Sequence, residues 1–89
     1  MKIKELFKKV EIANEVLKLS SKDKYYNEEY TIYMDYDNFR CYKFTTYKQF
    51  KKKVKDEFVP DFAKALIEIE FEIGKVFYIN NTKLIFYVD

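Results

Sequence analysis

Ile3, Leu6, Phe7, Val10, Ala13 and Leu17 recur three and four residues apart, with Lys4, Lys8, Glu11 and Glu15 on the other side. That spacing predicts an amphipathic helix over residues 3–19. Ile12, Val16 and Leu19 fall off the stripe and need a neighbouring loop or strand, or a second contact surface. From residue 30 the period drops to two: Tyr30, Ile32, Met34 and Tyr36 alternate with Thr31, Tyr33 and Asp35, the pattern of a half-buried strand. Asp37-Asn38 suits the positive φ angles of a tight turn, and "FRCYKF" supplies the returning arm of a hairpin.

Thr46 with Gln49 three residues on forms a T-x-x-Q capping box, which starts a second helix at Tyr47. Pro60 disfavours helical geometry at Val59, so this helix ends near Phe58. The next stretch, "PDFAKALIEIEFEIG", carries two patterns at once. Phe62, Ala65, Leu66, Ile69 and Ile73 form one helical face, with Pro first and Gly just past the end. Ile67, Ile69, Phe71 and Ile73 also alternate with Glu68, Glu70 and Glu72 as a strand would. Helix is the preferred reading, with its last turn the weakest. "KVFYI" and "KLIFYV" then form a second hairpin through "NNT".

The order α-β-β-α-α-β-β describes an α+β fold, an antiparallel sheet of two hairpins with helices packed on one face. At 89 residues the chain is expected to be one domain over residues 1–89, because so short a chain does not divide its apolar residues between two cores. The last strand changes the picture of the surface. "LIFYV" is apolar at five successive positions, so Leu84, Phe86 and Val88 face one way and Ile85 and Tyr87 the other. Val76 and Tyr78 likewise oppose Phe77 and Ile79. A sheet with one wet face alternates, and these strands do not, so both faces call for cover. Three helices cover one. Tyr78, Ile85 and Tyr87 are therefore expected to form a partner-binding or self-association surface, a homodimer being its simplest form. A helix or loop folded over that face is the competing arrangement.

Charge adds a second candidate surface. The net charge is +2, but residues 1–24 and 47–60 each carry +3 while residues 25–46 and 61–89 each carry −2. Within "TTYKQFKKKVKDEF", Lys48, Lys51, Lys52 and Lys55 fall in a sector of about 100° beside the apolar face of Tyr47, Phe50, Val54 and Phe58. A solvated helix face is the plain explanation. Lys48, Lys52 and Lys55 also suit an acidic protein surface or a phosphate backbone, with salt-sensitive binding in the second case. Sequence-specific base reading is disfavoured, because the stripe holds no Arg or Asn and Arg40 is the only arginine in the chain.

The inventory for catalysis is thin. There is no histidine, which removes the commonest general base and metal ligand. One cysteine, Cys41, supplies neither a zinc site nor a disulfide within the chain, and a reducing compartment suits it. One glycine, Gly74, supplies no phosphate-cradling loop. Glu68, Glu70 and Glu72 on a strand face would be the only carboxylate row, and a solvated face explains them as well. No catalytic residue, metal or cofactor is assigned, and the protein reads as a non-enzyme. No apolar run reaches a membrane span of roughly 18 residues, and the N-terminus is too charged for a signal peptide. The expectation is a cytoplasmic protein.

Lys, Tyr, Phe, Ile and Asn supply 47 residues, whereas Gly, Ala, Pro and Arg supply six, a bias toward AT-rich codons that points to a low-GC bacterium or an element living in one. With its short α-ββ-α beginning and the phrase "YKFTTYKQFKKKVKDEFV", the chain resembles the small accessory proteins of phages and mobile elements of low-GC Gram-positive bacteria, some of which are anti-CRISPR inhibitors. No functional residue carries over. The resemblance implies a protein that binds a host protein target, such as a CRISPR-Cas effector, and inhibits it by occupying a surface, within the host cytoplasm. The alternative is a small nucleic-acid-binding or regulatory protein that uses the lysine faces of the first two helices.

Overall fold

The computed structural model describes residues 1–20 and 29–89. Its elements are α1 (Ile3–Ser20), β1 (Ile32–Tyr36), β2 (Arg40–Phe44), α2 (Tyr47–Glu57), α3 (Pro60–Glu68), β3 (Val76–Ile79) and β4 (Thr82–Val88). The architecture is α+β, three helices and a four-stranded antiparallel sheet of two hairpins, in the order the sequence predicts. Strand order is β2-β1-β4-β3, so β1 and β4, far apart in sequence, meet at the centre. In that pairing Tyr33 lies opposite Tyr87 and Met34 opposite Phe86.

Both hairpin turns rest on residues that tolerate the left-handed backbone. Asp37 and Asn38 have φ of 53° and 60°, and Asn80 and Asn81 have φ of 53° and 66°. Asn80-Asn81 is a two-residue loop between paired Ile79 and Thr82, whereas Tyr36 pairs with Arg40 across three residues, with the Phe39 amide donating to the Tyr36 carbonyl at 3.1 Å. Asp37 also ties the first hairpin to β4: its amide donates to the Lys83 carbonyl at 2.8 Å, and its Oδ1 accepts from the Lys83 amide at 2.9 Å.

The capping box starts α2 as expected. The Gln49 amide donates to Thr46 Oγ1 at 3.3 Å, and the Thr46 amide donates to Gln49 Oε1 at 3.3 Å. The Gln49 side chain also accepts from the Thr45 amide at 2.8 Å. These bonds satisfy donors that the first turn of a helix otherwise leaves unpaired.

Each strand directs alternate residues toward the helices, as its period requires. Ile32, Met34, Phe44, Leu84 and Phe86 are buried, and with Ile3, Leu6, Phe7, Val10, Phe50, Val54, Phe62, Leu66 and Phe71 they form one core. Phe7 lies within 5.4–6.2 Å of the rings of Phe44, Tyr47 and Phe50, which fastens α1 to α2 and to β2. Asn14 holds the chain entering β1, with its Nδ2 donating to the Tyr30 carbonyl and its Oδ1 accepting from the Tyr30 amide.

Two expectations are refined. Ile12, Val16 and Leu19 are exposed rather than packed against a described neighbour, because they lie on the side of α1 away from the core. The third helix stops at Glu68, and Ile69 is already extended at φ −62° and ψ 137°. Phe71, beyond that end, is buried, whereas Ile73, which a continued helix would direct toward the core, is exposed.

Candidate partner-binding faces

The residues that β1, β2, β3 and β4 direct away from the helices are Tyr33, Asp35, Cys41, Lys43, Val76, Tyr78, Lys83, Ile85 and Tyr87. None of them is buried and none belongs to the core. Among the described residues no helix lies over this face. Tyr78 is 71% and Val76 44% exposed, while Ile85, Tyr33 and Tyr87 are half-buried by one another and their neighbours.

The centre of the face is an ordered pair of rings. Tyr33 on β1 and Tyr87 on β4 stack with centroids 5.0 Å apart and planes 8° from parallel. Lys43 on β2 places its ammonium 5.6 Å from the Tyr33 ring centre. The Tyr33 hydroxyl donates to Asp89 at 3.4 Å, and the Tyr87 hydroxyl lies 3.6 Å from Cys41 Sγ. That contact with Cys41 pushes the Tyr87 phenol up to about 12, helped by partial desolvation and by the negative charges of Cys41 and Asp35. Tyr87 thus stays neutral throughout the physiological range. In a spectrophotometric tyrosine titration, one transition is expected near 12, and Tyr87→Phe should remove it. Cys41→Ala should move it back toward the ordinary value of 10.0. A wild-type curve unchanged by either substitution would place Tyr87 outside this contact.

The sequence-derived residues Tyr78, Ile85 and Tyr87 therefore share one surface. Lys48, Lys52 and Lys55 do not join them. They are exposed on α2, whose Phe50 and Val54 face the core, so the lysines point away on the helical side of the molecule. Lys51 lies 5.3 Å from the centre of the Tyr47 ring. Among the described residues the one α2 lysine in an ion pair is Lys53, which lies off the stripe. Its ammonium is 2.6 Å from Glu57 Oε1, and Glu57 Oε2 accepts from the Tyr42 hydroxyl at 2.6 Å. Together these bonds hold the Glu57 carboxyl below its usual range, the Lys53 hydrogen bond being the larger cause.

Tyr33 completes the central stack, and sequence reasoning did not select it. The signal was its place on the polar-facing register of β1, two residues before Asp35. It became informative only once β1 was paired with β4.

Of the glutamates considered as a carboxylate row, Glu68 ends α3 and the other two serve other contacts. Glu70 lies 3.1 Å from the N-terminal ammonium and Glu72 2.5 Å from Lys75. Among the described residues no group of three or more Cys, Asp or Glu side chains is placed to hold a metal ion, and no helix is long and apolar enough to cross a membrane. Comparison with protein families, curated proteins and solved structures finds no match to this chain.

Proposed function

We propose that this chain is a non-enzymatic binding protein that seats a protein partner on the open face of its sheet. The observation that carries this reading is the Tyr33–Tyr87 stack, held in place with Ile85, Val76 and Tyr78 around it and no described helix above it. Tyrosine contributes large, stiff contact area at low entropic cost and is enriched in interfaces. The two rings already stack on each other within the chain, which reduces what binding must immobilise. The resemblance to phage and mobile-element accessory proteins supplies the partner's class: a host protein, such as a defence nuclease of CRISPR-Cas type, inhibited by stoichiometric occupation. A second copy of the chain is the simplest alternative occupant.

One specific observation favours a second reading, contact with nucleic acid through α2. The stripe lysines Lys48, Lys51, Lys52 and Lys55 stand outside every described ion pair, so their charge is available to phosphates. One experiment separates the two. Nuclease-treated lysate of a low-GC Gram-positive bacterium is passed over wild type, over Tyr87→Lys, and over the triple change of Lys48, Lys52 and Lys55 to Glu. A protein retained by wild type and by the triple variant, but lost with Tyr87→Lys, supports the sheet face. Light scattering over a concentration series on the same three proteins reports self-association. A strict monomer whose retained partner ignores Tyr87→Lys sinks the proposal. Retention that needs nucleic acid and disappears with the triple variant establishes the second reading instead. The triple change itself should leave the fold intact, since exposed sites tolerate substitution within about 0.5 kcal/mol each.

A further inference from the structure

The sheet has two edges, β2 and β3, and they are finished differently. On β4 the backbone groups of Lys83 and Asp89 turn toward β1: the Lys83 carbonyl accepts from the Asp37 amide, and the Asp89 amide donates to the Thr31 carbonyl. The alternate residues Thr82, Leu84 and Phe86 turn theirs toward β3, and the Phe86 carbonyl accepts there from the Gly74 amide at 2.7 Å. Ile79 and Phe77 pair with Thr82 and Leu84, so these two direct their amides and carbonyls at β4. Val76 and Tyr78, opposite Ile85 and Lys83, therefore direct theirs outward. Among the described residues no further hydrogen bond reaches those outward groups. The side chains of Val76 and Tyr78 stand on the open face, 44% and 71% exposed, while Phe77 and Ile79 lie half-buried on the helix side.

An edge of this kind is a template for another strand unless charge, proline or a covering element blunts it. β2 has such protection: it carries Arg40 and Lys43, and its Tyr42 hydroxyl is bonded to Glu57, which also holds Lys53. β3 is Val-Phe-Tyr-Ile, with no charge and no proline, and Lys75 just before it is paired with Glu72. Charge also selects the occupant. A two-fold axis sets a strand against its own copy, where like charges would oppose each other, and β3 brings none. Register agrees. With Phe77 on the axis opposite its own copy, Val76 lies opposite Tyr78 of the second chain, and every outward amide of these residues meets an outward carbonyl. Sliding by two residues leaves some of those groups unpaired, and sliding by one sets open-face side chains against helix-side ones. We infer that β3 pairs antiparallel with β3 of a second copy, joining the two four-stranded sheets into one continuous sheet. The axis is perpendicular to that sheet, so both Tyr33–Tyr87 stacks lie on the same side, where a partner with two like sites can engage both. The pairing is independent of what the stacks themselves bind.

A strand of four residues spans about 13 Å, a contact at the low end of interface sizes, under roughly 1,200 Å². The dimer is therefore expected to be weak, with a dissociation constant of roughly 10 µM to 1 mM. The test is sedimentation equilibrium of the whole chain from about 10 µM to about 2 mM, with amide hydrogen exchange measured at both ends of that range. The mass should rise from one chain to two. Exchange at the Val76 and Tyr78 amides should slow several-fold at the higher concentration, while the outward amides of β2, at Cys41 and Lys43, should not change. Val76→Pro removes one outward donor and no bond to β4, and proline is tolerated at the start of an edge strand. It should be monomeric throughout, with the circular dichroism of wild type. Tyr78→Lys, which puts a charge on the same edge, should do likewise and stands as the second variant if Val76→Pro fails to fold. A wild-type monomer at the highest concentration overturns the pairing. So does a dimer that a folded variant retains, or one in which the two β3 amides exchange as fast as in the monomer. A dimer that Tyr87→Lys dissolves and Val76→Pro retains is joined face to face, which discards the edge and leaves the sheet-face reading standing.

Discussion

Phe50→Ala should lower the stability of the folded chain by about 3–5 kcal/mol, the cost of removing a fully buried aromatic ring and leaving a cavity. Phe50 is 1% exposed, and its ring centre lies 5.4 Å from Phe7 and 5.5 Å from Phe44, the latter edge-on. It stands where α1, α2 and β2 meet, so no single element can shift to fill its place. Small domains have total stabilities toward the low end of roughly 5–15 kcal/mol, so the loss consumes a large share. With a urea slope of about 1–3 kcal/mol/M, the denaturation midpoint should fall by at least roughly 1 M at unchanged slope. Phe39→Ala is the matched control. The residue type is the same, but Phe39 is 89% exposed in the first hairpin turn, and its loss should stay within about 0.5 kcal/mol. Equal midpoints for the two variants would refute this placement of the core.

How much of this was legible in the sequence follows from the range of each interaction. The α1 stripe, the alternation of β1, the Thr46–Gln49 box and the Asp37-Asn38 turn are signals carried by neighbours in the chain, and each appears where its spacing placed it. The two faces of β4 were legible for the same reason, and with them Tyr78, Ile85 and Tyr87 on one surface. The pairing of β1 with β4 was not, because nothing local in either strand names its partner. That non-local pairing brings Tyr33 against Tyr87 and turns scattered tyrosines into an ordered site. The lysine stripe was legible as a stripe, but its separation from the tyrosines became visible only when helices and sheet were stacked. Charge periodicity alone does not say on which side of a molecule a helix will sit.

Residues 67–73 pose the same problem in its sharpest form, since helix and strand patterns overlap there. A helix continued past Glu68 at about 100° per residue would turn Phe71 away from the side that buries Phe62 and Leu66, while directing Ile69 and Ile73 inward. The chain instead leaves the helix and buries Phe71, whose ring lies 5.2 Å from Phe86 and 5.9 Å, edge-on, from Phe77. Those partners lie on β3 and β4, out of reach of any local rule. A buried aromatic ring outweighs the few tenths of a kcal/mol per residue by which helical propensity would favour another turn. The N-terminus adds to the hold: the Phe71 amide donates to the Met1 carbonyl at 2.9 Å, and the terminal ammonium donates to the Phe71 carbonyl at 3.1 Å. Phe71→Ala should therefore cost about 3–5 kcal/mol, and hydrogen exchange at its amide should accelerate as the bond to Met1 is released. Ile73→Ala, at a side chain 47% exposed, should cost less than about 1 kcal/mol. The helical alternative reverses that ranking, with Ile73 the costly loss and Phe71 the cheap one. Glu70→Gln should do little in either case, because its pair with the terminal ammonium is mostly solvated and such pairs contribute roughly 0–1 kcal/mol. The order of the Phe71 and Ile73 midpoints thus decides which of the two overlapping patterns the chain obeys.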